Sequence, residues 1–308
     1  MNSKFTRQVI FPIAAAVIWG TALVFQSEGA EFVGPLTFNA LRSAVAAIAL
    51  ALLWLVRALI TKRRAKSMLT EAQPPKRNRK ALLWGGFLCG TMLAIASNLQ
   101  QLGLGETSPG KAAFITALYV VLVPVLGVFL GKRVQPIIWG SVALAAAGLY
   151  FLCITGDLGI EASDLFIFLC ALCFACHILV IDRFSPHVDG IELSCVQFIV
   201  MAVESAVGML LFENPTVAGV TACLGSVVYV GLFSSGVGFT LQILAQQNSN
   251  PTVVSLLLSL ESVFSVLAMG LMMGQWLSTR EWIGCGLMLA AVVLAKLPVG
   301  VPNKKKSV

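Results

Sequence analysis

Residues 99–109, Leu-Gln-Gln-Leu-Gly-Leu-Gly-Glu-Thr-Ser-Pro, return in altered form at 241–251 as Leu-Gln-Ile-Leu-Ala-Gln-Gln-Asn-Ser-Asn-Pro. Leu99-Gln100 and Pro109 thus recur as Leu241-Gln242 and Pro251, at an offset of 142. Downstream, Gly127, Gly131 and Trp139 recur as Gly270, Gly274 and Trp282 at 143. Upstream, Trp19-Gly20 and Arg42 are matched by Phe174-Ala175 and Gln197 at 155. The chain reads as two copies of one unit. The first copy carries 13 extra residues, the difference between 155 and 142, which fits the charged stretch from Thr61 to Lys80.

With 58% apolar and 11% charged residues over 308 positions, the chain has too little polar surface to cover a soluble globule. An all-α integral membrane protein is expected. A span needs roughly 20 mostly apolar residues. Ten stretches qualify, at about 9–27, 35–58, 81–103, 109–130, 135–153, 163–181, 191–212, 218–240, 251–273 and 281–298. The first follows Lys4 and Arg7, but its apolar stretch is long for a secretory signal and Trp19 and Phe25 interrupt any small-residue cleavage site, so it reads as a retained helix.

Five spans per copy is an odd number, so the second copy enters the membrane from the opposite side and the repeat is inverted. The expected division is 1–156 for the first five-helix copy, including a basic loop at 59–80, 157–300 for the second, and a basic tail at 301–308. Ten spans put both termini on one face. Lys4, Arg7, nine basic residues from Arg57 to Lys80, Lys132, Arg133, Arg183, Lys296 and Lys304 to Lys306 fall there, 18 of the 21 Lys and Arg. Glu28, Glu31, Glu106, Asp157, Glu161, Asp164, Glu213 and Glu281 fall on the other face. The positive-inside tendency places both termini in the cytoplasm and the protein in the cytoplasmic membrane.

A net charge of +7 raises the question of nucleic acid, with Lys62-Arg63-Arg64 and Lys76 to Lys80 as the densest patch. Topology accounts for that charge, since basic cytoplasmic loops set orientation and meet anionic headgroups. No aromatic residues are interleaved there for base stacking, so lipid and not nucleic acid is the expected partner. Gln73-Pro74-Pro75 marks a flexible stretch within this loop.

Cys173-Phe174-Ala175-Cys176-His177 satisfies the spacing for covalent haem attachment, and Cys170 precedes it. The stretch lies within an apolar span, out of reach of the attachment machinery, and no fourth cysteine follows at the spacing of an iron–sulfur cluster. The cysteines read as small packing residues, with no metal and no cofactor expected. His177 faces protein or a wet cavity, bonding a neighbouring helix or touching solute.

Ionisable groups inside a membrane are costly and are functional candidates for that reason. Glu261 sits near the centre of the ninth span, on one arc with Ser255, Ser259, Ser262 and Ser265. It is the candidate proton-coupling group, a structural hydrogen bond being the alternative. Glu204 shares a face with Gln197, with Ser194 a turn before, and Arg42 in the second span needs a carboxylate or carbonyl partner; these three, Arg42, Gln197 and Glu204, read as structural polar residues. Ser97, Asn98, Gln100, Gln101, Thr116 and Tyr119 cluster in the third and fourth spans, and their repeat mates include Gln242 and, for Tyr119, Glu261 itself. Matching helices thus offer polar groups at similar depth, where inverted-repeat transporters bind solute. The candidate solute contacts are Trp19, Asn98, Gln101, Tyr119, His177, Gln242, Ser259 and Glu261; amides, hydroxyls and an aromatic ring suit an uncharged or zwitterionic organic solute. Helix-to-helix bonding is the alternative for each.

Gly127-x3-Gly131 and Gly270-x3-Gly274 allow close helix contact and read as packing within the copies, with dimerisation as the alternative, so the assembly is a monomer or homodimer. Pro109 and Pro251 begin spans, where proline is tolerated. Pro124 lies inside the fourth span and is expected to kink it.

Trp19-Gly20, Arg42, the run Leu99-Gln100-Gln101 through Thr107-Ser108-Pro109 to Ala113-Phe114, Trp139-Gly140 and Trp282-x-Gly284 together resemble the drug/metabolite transporter superfamily, in particular its EamA-type members. The resemblance runs from Val9 to Leu297. It implies a ten-helix inverted-repeat carrier in the cytoplasmic membrane, typically bacterial, moving amino acids, other metabolites or toxic compounds, often outward. Many members have Glu-Pro in the ninth span where this chain has Glu261-Ser262, which puts any gating role of that proline in doubt. With no Gly-rich phosphate loop, uphill movement must draw on a gradient or on exchange. The expected function is a secondary transporter working by alternating access, not an enzyme. Its rivals are a non-transporting membrane sensor or scaffold docking through the basic loop, and a membrane redox protein using Cys170 to Cys176 with His177. Absorption spectra of the purified protein separate the last: no haem or metal band is expected, and a band would establish the redox reading.

Overall fold

The computed structural model describes residues 5–67, 78–104, 109–154, 162–247, 249–273 and 276–297. Lys4, the middle of the basic loop, Thr107-Ser108, Glu106, Asp157, Glu161, the 156/157 boundary, Gly274 and the tail 301–308 lie outside the described residues. Among the described residues there are helices and turns and no strand. The principal helices are α1 (Thr6–Ala30), α2 (Pro35–Ser67), α3 (Arg79–Leu104), α4 (Pro109–Ala117 and Tyr119–Phe129), α5 (Pro136–Cys153), α6 (Ala162–Phe184), α7 (Gly190–Phe212), α8 (Leu224–Gln246), α9 (Pro251–Leu258 and Glu261–Met273) and α10 (Thr279–Lys296). Nine helices among the described residues are long and apolar enough to cross a membrane. The tenth expected span corresponds to α10, whose 18 residues include Arg280, Glu281 and Lys296.

Local chemistry sets the helix starts. Pro35, Pro109, Pro136 and Pro251 each occupy a first helical position, where the missing N–H has no intrahelical partner to lose. Asp189 caps α7 by accepting from the N–H groups of Ile191 and Glu192, Asn250 caps α9 at Thr252, and Ser278 with Glu281 forms a capping box on α10. The cap of α2 comes from a distant helix end: Glu213, just past α7, accepts from Leu36 N, Thr37 N and Thr37 Oγ1 at 2.9, 2.8 and 2.6 Å. The expected eighth span at 218–240 shifts downstream. Thr216 caps a separate short helix, Val217–Ala222, so α8 begins at Leu224 and includes Gln242.

The helices pack in a pattern that survives exchange of α1–α5 with α6–α10. α1 packs on α9 as α6 does on α4, α2 on α8 as α7 on α3, and α1 on α8 as α6 on α3, while α2–α7, α4–α9 and α5–α10 pair with their own counterparts. The polarity is turned outside in: Leu210, Phe212, Val217 and Phe129 are exposed, whereas Asn39, Arg42, His177, Gln197, Gln242 and Gln246 are buried. That is the arrangement a hydrocarbon solvent demands, since it offers polar groups no partners.

Small residues fix the closest approaches, but Gly127 and Gly131 are not among them. A Cβ on Gly127 would meet only the Lys132 side chain, at 3.8 Å, and one on Gly131 would meet nothing within 4 Å. Gly131 instead sits at φ 79°, and the bonds Lys132 N to Gly127 O and Gly131 N to Val128 O form a Schellman cap that ends α4. The close contacts lie elsewhere. A Cβ on Gly148 of α5 would lie 2.9 Å from Met288 N, one on Gly284 of α10 2.7 Å from Leu152 N, and one on Gly20 of α1 2.7 Å from Ser265 N of α9. Backbone against backbone leaves no room for a methyl group. Gly148→Leu is therefore expected to destabilise the protein by about 1–3 kcal/mol or more. Gly286→Ala, where nothing lies within 4 Å, should leave stability unchanged or slightly raised. Apparent melting temperatures in detergent check both.

Candidate functional site

Helices α4 and α9, matched by the sequence offset of 142, are interrupted at the same register. α4 breaks at Leu118 and resumes at Tyr119; α9 breaks at Ser259 and Leu260 and resumes at Glu261, 142 residues on from Tyr119. The amide N–H of Leu118 bonds Ile115 O and that of Leu260 bonds Leu257 O, three residues back and not four. In α9 the cause lies in the serines. Ser255 Oγ donates to Thr252 O and Ser259 Oγ to Leu256 O, and such back-bonding bends helices. The break thus forms without the proline that the Glu261-Ser262 step lacks. In α4 the kink expected at Pro124 lies upstream: Tyr119–Phe129 runs through Pro124, and the chain turns just before Val120, whose carbonyl Pro124 cannot bond.

The two resumed helices face each other. Tyr119 Oη donates to Glu261 Oε1 at 3.2 Å, a bond between repeat mates. Tyr119 is buried and Glu261 half-buried. Ser259, a candidate solute contact, is fully buried with its hydroxyl committed to its own helix.

A second group gathers around Phe239, whose ring centroid lies 4.7 Å from that of Trp19, 5.9 Å from His177 and 5.7 Å from Phe198. α8 carries a π-helical stretch at Val230–Gly238, in which Ser234 O accepts from Phe239 N and also from Trp19 Nε1 at 3.1 Å. Such stretches often mark functional sites. His177 Nε2 meets Gln197 Oε1 at 3.1 Å. His177 Nδ1, Gln197 Nε2 and Gln242 Oε1 are sealed without a hydrogen-bond partner among the described residues. A sealed unpaired polar atom costs about 1–3 kcal/mol.

The third group is a hydrogen-bond chain. Arg42 Nε donates to Asn39 Oδ1 at 2.6 Å, Asn39 Nδ2 to Asn98 Oδ1 at 2.8 Å, and Asn98 Nδ2 to Ser205 Oγ at 3.1 Å. Arg42 finds an amide oxygen and, through Nη1 at 3.4 Å, the hydroxyl of Ser235. Asn39–Asn98 has a repeat-related twin, Ser194–Thr240 at 2.7 Å: Asn39 and Ser194 are 155 apart, Asn98 and Thr240 142 apart. The hydrogen bond itself is duplicated. Asn98 therefore sits with Arg42 and not with Tyr119. Gln101 donates to Gln26 O, a tie between α3 and α1, and Glu204 accepts from Thr91 Oγ1 at 2.6 Å, a tie between α7 and α3.

Cys170 is buried and Cys173 and Cys176 half-buried; all eight cysteines are free thiols. No group of three or more His, Cys, Asp or Glu able to hold a metal occurs among the described residues. A cleft of about 150 Å³ opens between α4, α6 and α9, lined by Val123, Gly127, Lys132, Arg133, Asn250 and Thr252 among others. Lys132 is ion-paired with Asp182. Tyr119, Val123 and Gly127 lie one helical turn apart on α4, so this cleft runs along the seam that carries Tyr119 and Glu261. Phe239 and Asn39 are the organising residues missed in the sequence. For Asn39, the signal was its repeat mate Ser194.

The EamA-like transporter family model matches residues 6–154 and 162–297. An uncharacterized transporter of Archaeoglobus fulgidus is 30% identical over 219 residues, 70% of this chain and 69% of the relative. A solved crystal structure, described only as that of a protein, superposes with a TM-score of 0.72 at 19% identity over 94% of this chain and 96% of its own, a likeness of fold. Matched over nearly its whole described length, the chain belongs to the EamA-like transporter family.

Proposed function

We propose that this membrane transporter is a secondary carrier that moves a small organic solute, an amino acid, metabolite or drug-like compound, outward across the cytoplasmic membrane by alternating access. In this reading ten helices form two inverted copies, 1–156 and 157–300, with both termini in the cytoplasm, and Glu261 couples transport to protons. The observation that carries the proposal is the hydrogen bond between the repeat mates Tyr119 and Glu261 where α4 and α9 both break. Broken helices meeting at the interface of two copies are where carriers of this build hold their cargo. The exchange-invariant packing, the duplicated Asn39–Asn98 and Ser194–Thr240 bonds and the two separate family matches support two copies of one unit.

The mechanism follows from the groups present. Glu261 takes up or releases a proton as the seam opens to one side or the other, and Tyr119 donates to its ionised oxygen. Trp19, held to Ser234 O, supplies an aromatic face beside the helix interface, and the sealed polar atoms of His177, Gln197 and Gln242 gain partners when solute or water enters. The cleft beside Lys132 and Arg133 is the cytoplasmic approach, closed by the Lys132–Asp182 pair. Export as the direction rests on the family resemblance.

Proteoliposomes holding the purified protein, screened with labelled amino acids and small metabolites with and without an imposed pH gradient, test this directly. Saturable flux that responds to the gradient is expected, and Glu261→Gln should lose that response while Tyr119→Phe weakens it by about tenfold, the scale of one hydrogen bond to a charged group. Flux indifferent to both gradient and Glu261→Gln would make the residue structural; no flux for any compound would favour a sensor. Topology is checked separately. A fluorescent protein fused to the C-terminus should fluoresce in cells and an alkaline phosphatase fused there should be inactive, the reverse pattern contradicting cytoplasmic termini.

A further inference from the structure

Arg42 is a cation in the interior of an apolar bundle, 3% exposed. Its two hydrogen bonds go to neutral groups, Asn39 Oδ1 and Ser235 Oγ, and no described carboxylate pairs with it. A guanidinium buried in a membrane protein is answered by a carboxylate or by several carbonyl oxygens, because the charge is expensive there, and Arg42 has one amide oxygen and one hydroxyl.

Three further observations bear on what completes it. Asn39 accepts from Arg42 and passes its own donors on to Asn98, which donates onward to Ser205, so every bond in the chain runs away from the guanidinium and none brings it negative charge. The repeat mate of Arg42 is Gln197, fully buried and bonded to His177, so the same place in the second copy is filled by a neutral amide and the architecture itself does not require a cation. Among the described residues, Arg42 Nη2 makes no hydrogen bond, so that edge of the fork is unanswered. Asn39 and Ser235 behind it are completely buried. Ser235 follows Ser234, whose carbonyl anchors Trp19, so the guanidinium lies beside the aromatic part of the candidate site.

We propose that Arg42, braced by Asn39 and Ser235, is the anion subsite of the carrier, and that the solute it takes bears a carboxylate. The inference rests on the carrier reading above. Planar guanidinium and carboxylate meet through paired N–H donors, and the free Nη2 edge with its Nη1 neighbour presents such a pair. Asn39 fixes the Nε side, so an arriving carboxylate finds the fork already oriented.

The test is ligand-dependent stabilisation of the purified full-length protein in detergent, which requires no flux. Acetate, lactate and benzoate are compared with acetamide, lactamide and benzamide, at ionic strength matched with sodium chloride. At least one carboxylate should raise the apparent melting temperature saturably while its amide does not. Arg42→Gln should abolish the rise, Arg42→Lys should keep part of it, and Ser235→Ala should raise the half-saturating concentration several-fold. The melting temperature without ligand reports whether each variant is folded; should Arg42→Gln fail to fold, Arg42→Lys and Ser235→Ala carry the comparison. A wild-type response no greater for carboxylates than for amides, or an undiminished response in folded variants, overturns the proposal. Stabilisation by carboxylate without flux of any solute would retain the subsite and remove the carrier reading, and flux confined to solutes lacking a carboxylate would do the opposite.

Discussion

Hydrocarbon supplies no hydrogen bonds, and the organisation of this bundle follows from that constraint. Polar side chains carried into the apolar interior turn back on their own helix, as Ser255 and Ser259 do, or are answered by another helix, and the second kind tie distant parts of the chain together. Thr91 meets Glu204, Asn98 meets Asn39 and Ser205, Ser194 meets Thr240, and Gln246 reaches Ile178 O. Apolar packing cannot choose between neighbours in such a solvent, because lipid tails serve a leucine as well as another helix does. Specificity of assembly rests on these polar ties and on glycines that let backbones touch, such as Gly148 and Gly284.

The same constraint separates scaffold from site. Where polar atoms are mutually satisfied, as along Asn39, Asn98 and Ser205, the structure is held. Where they are left over, at His177 Nδ1, Gln197 Nε2 and Gln242 Oε1, buried polar atoms have no hydrogen-bond partner among the described residues. The leftover atoms flank Phe239 and the π-helical stretch of α8, a part of the chain whose own backbone departs from the regular α pattern. Regular helices satisfy themselves; irregular ones present groups to their surroundings.

How much of this was legible in the sequence differs by the range of the signal. Spans were legible because hydropathy is local and strong, whereas the offsets of 142 and 155 are weak matches spread over long distances. The depth match of Tyr119 and Glu261 followed from the offset alone, and they do meet. Other features were ambiguous in principle. Gly127 and Gly131 look the same whether they face a neighbouring helix or end their own, and only the φ of Gly131 decides. Residues 217–223 are as apolar as a span, so the short helix capped by Thr216 was invisible to hydropathy. Phe239 gives no sign of centrality, since an apolar residue in an apolar span carries no pattern. Asn98 was grouped with Tyr119 by nearness in sequence, whereas the helix geometry turns it toward α2 and α7.

The π-helical stretch makes the facing of the second half of α8 depend on chain length. With bonds spanning five residues, Val230–Gly238 winds more slowly than an α-helix, and everything beyond it is rotated about the axis accordingly. Loss of a single residue between Val230 and Gly238 would scarcely alter composition or hydropathy. It would nonetheless change the rotation of Phe239, Thr240 and Gln242 about the axis relative to the start of α8, and with it their alignment on Trp19, Ser194 and His177. The same loss in a connecting loop would be absorbed. Among relatives of this chain, insertions and deletions inside α8 would therefore alter what this helix presents to α1, α6 and α7 more sharply than many substitutions.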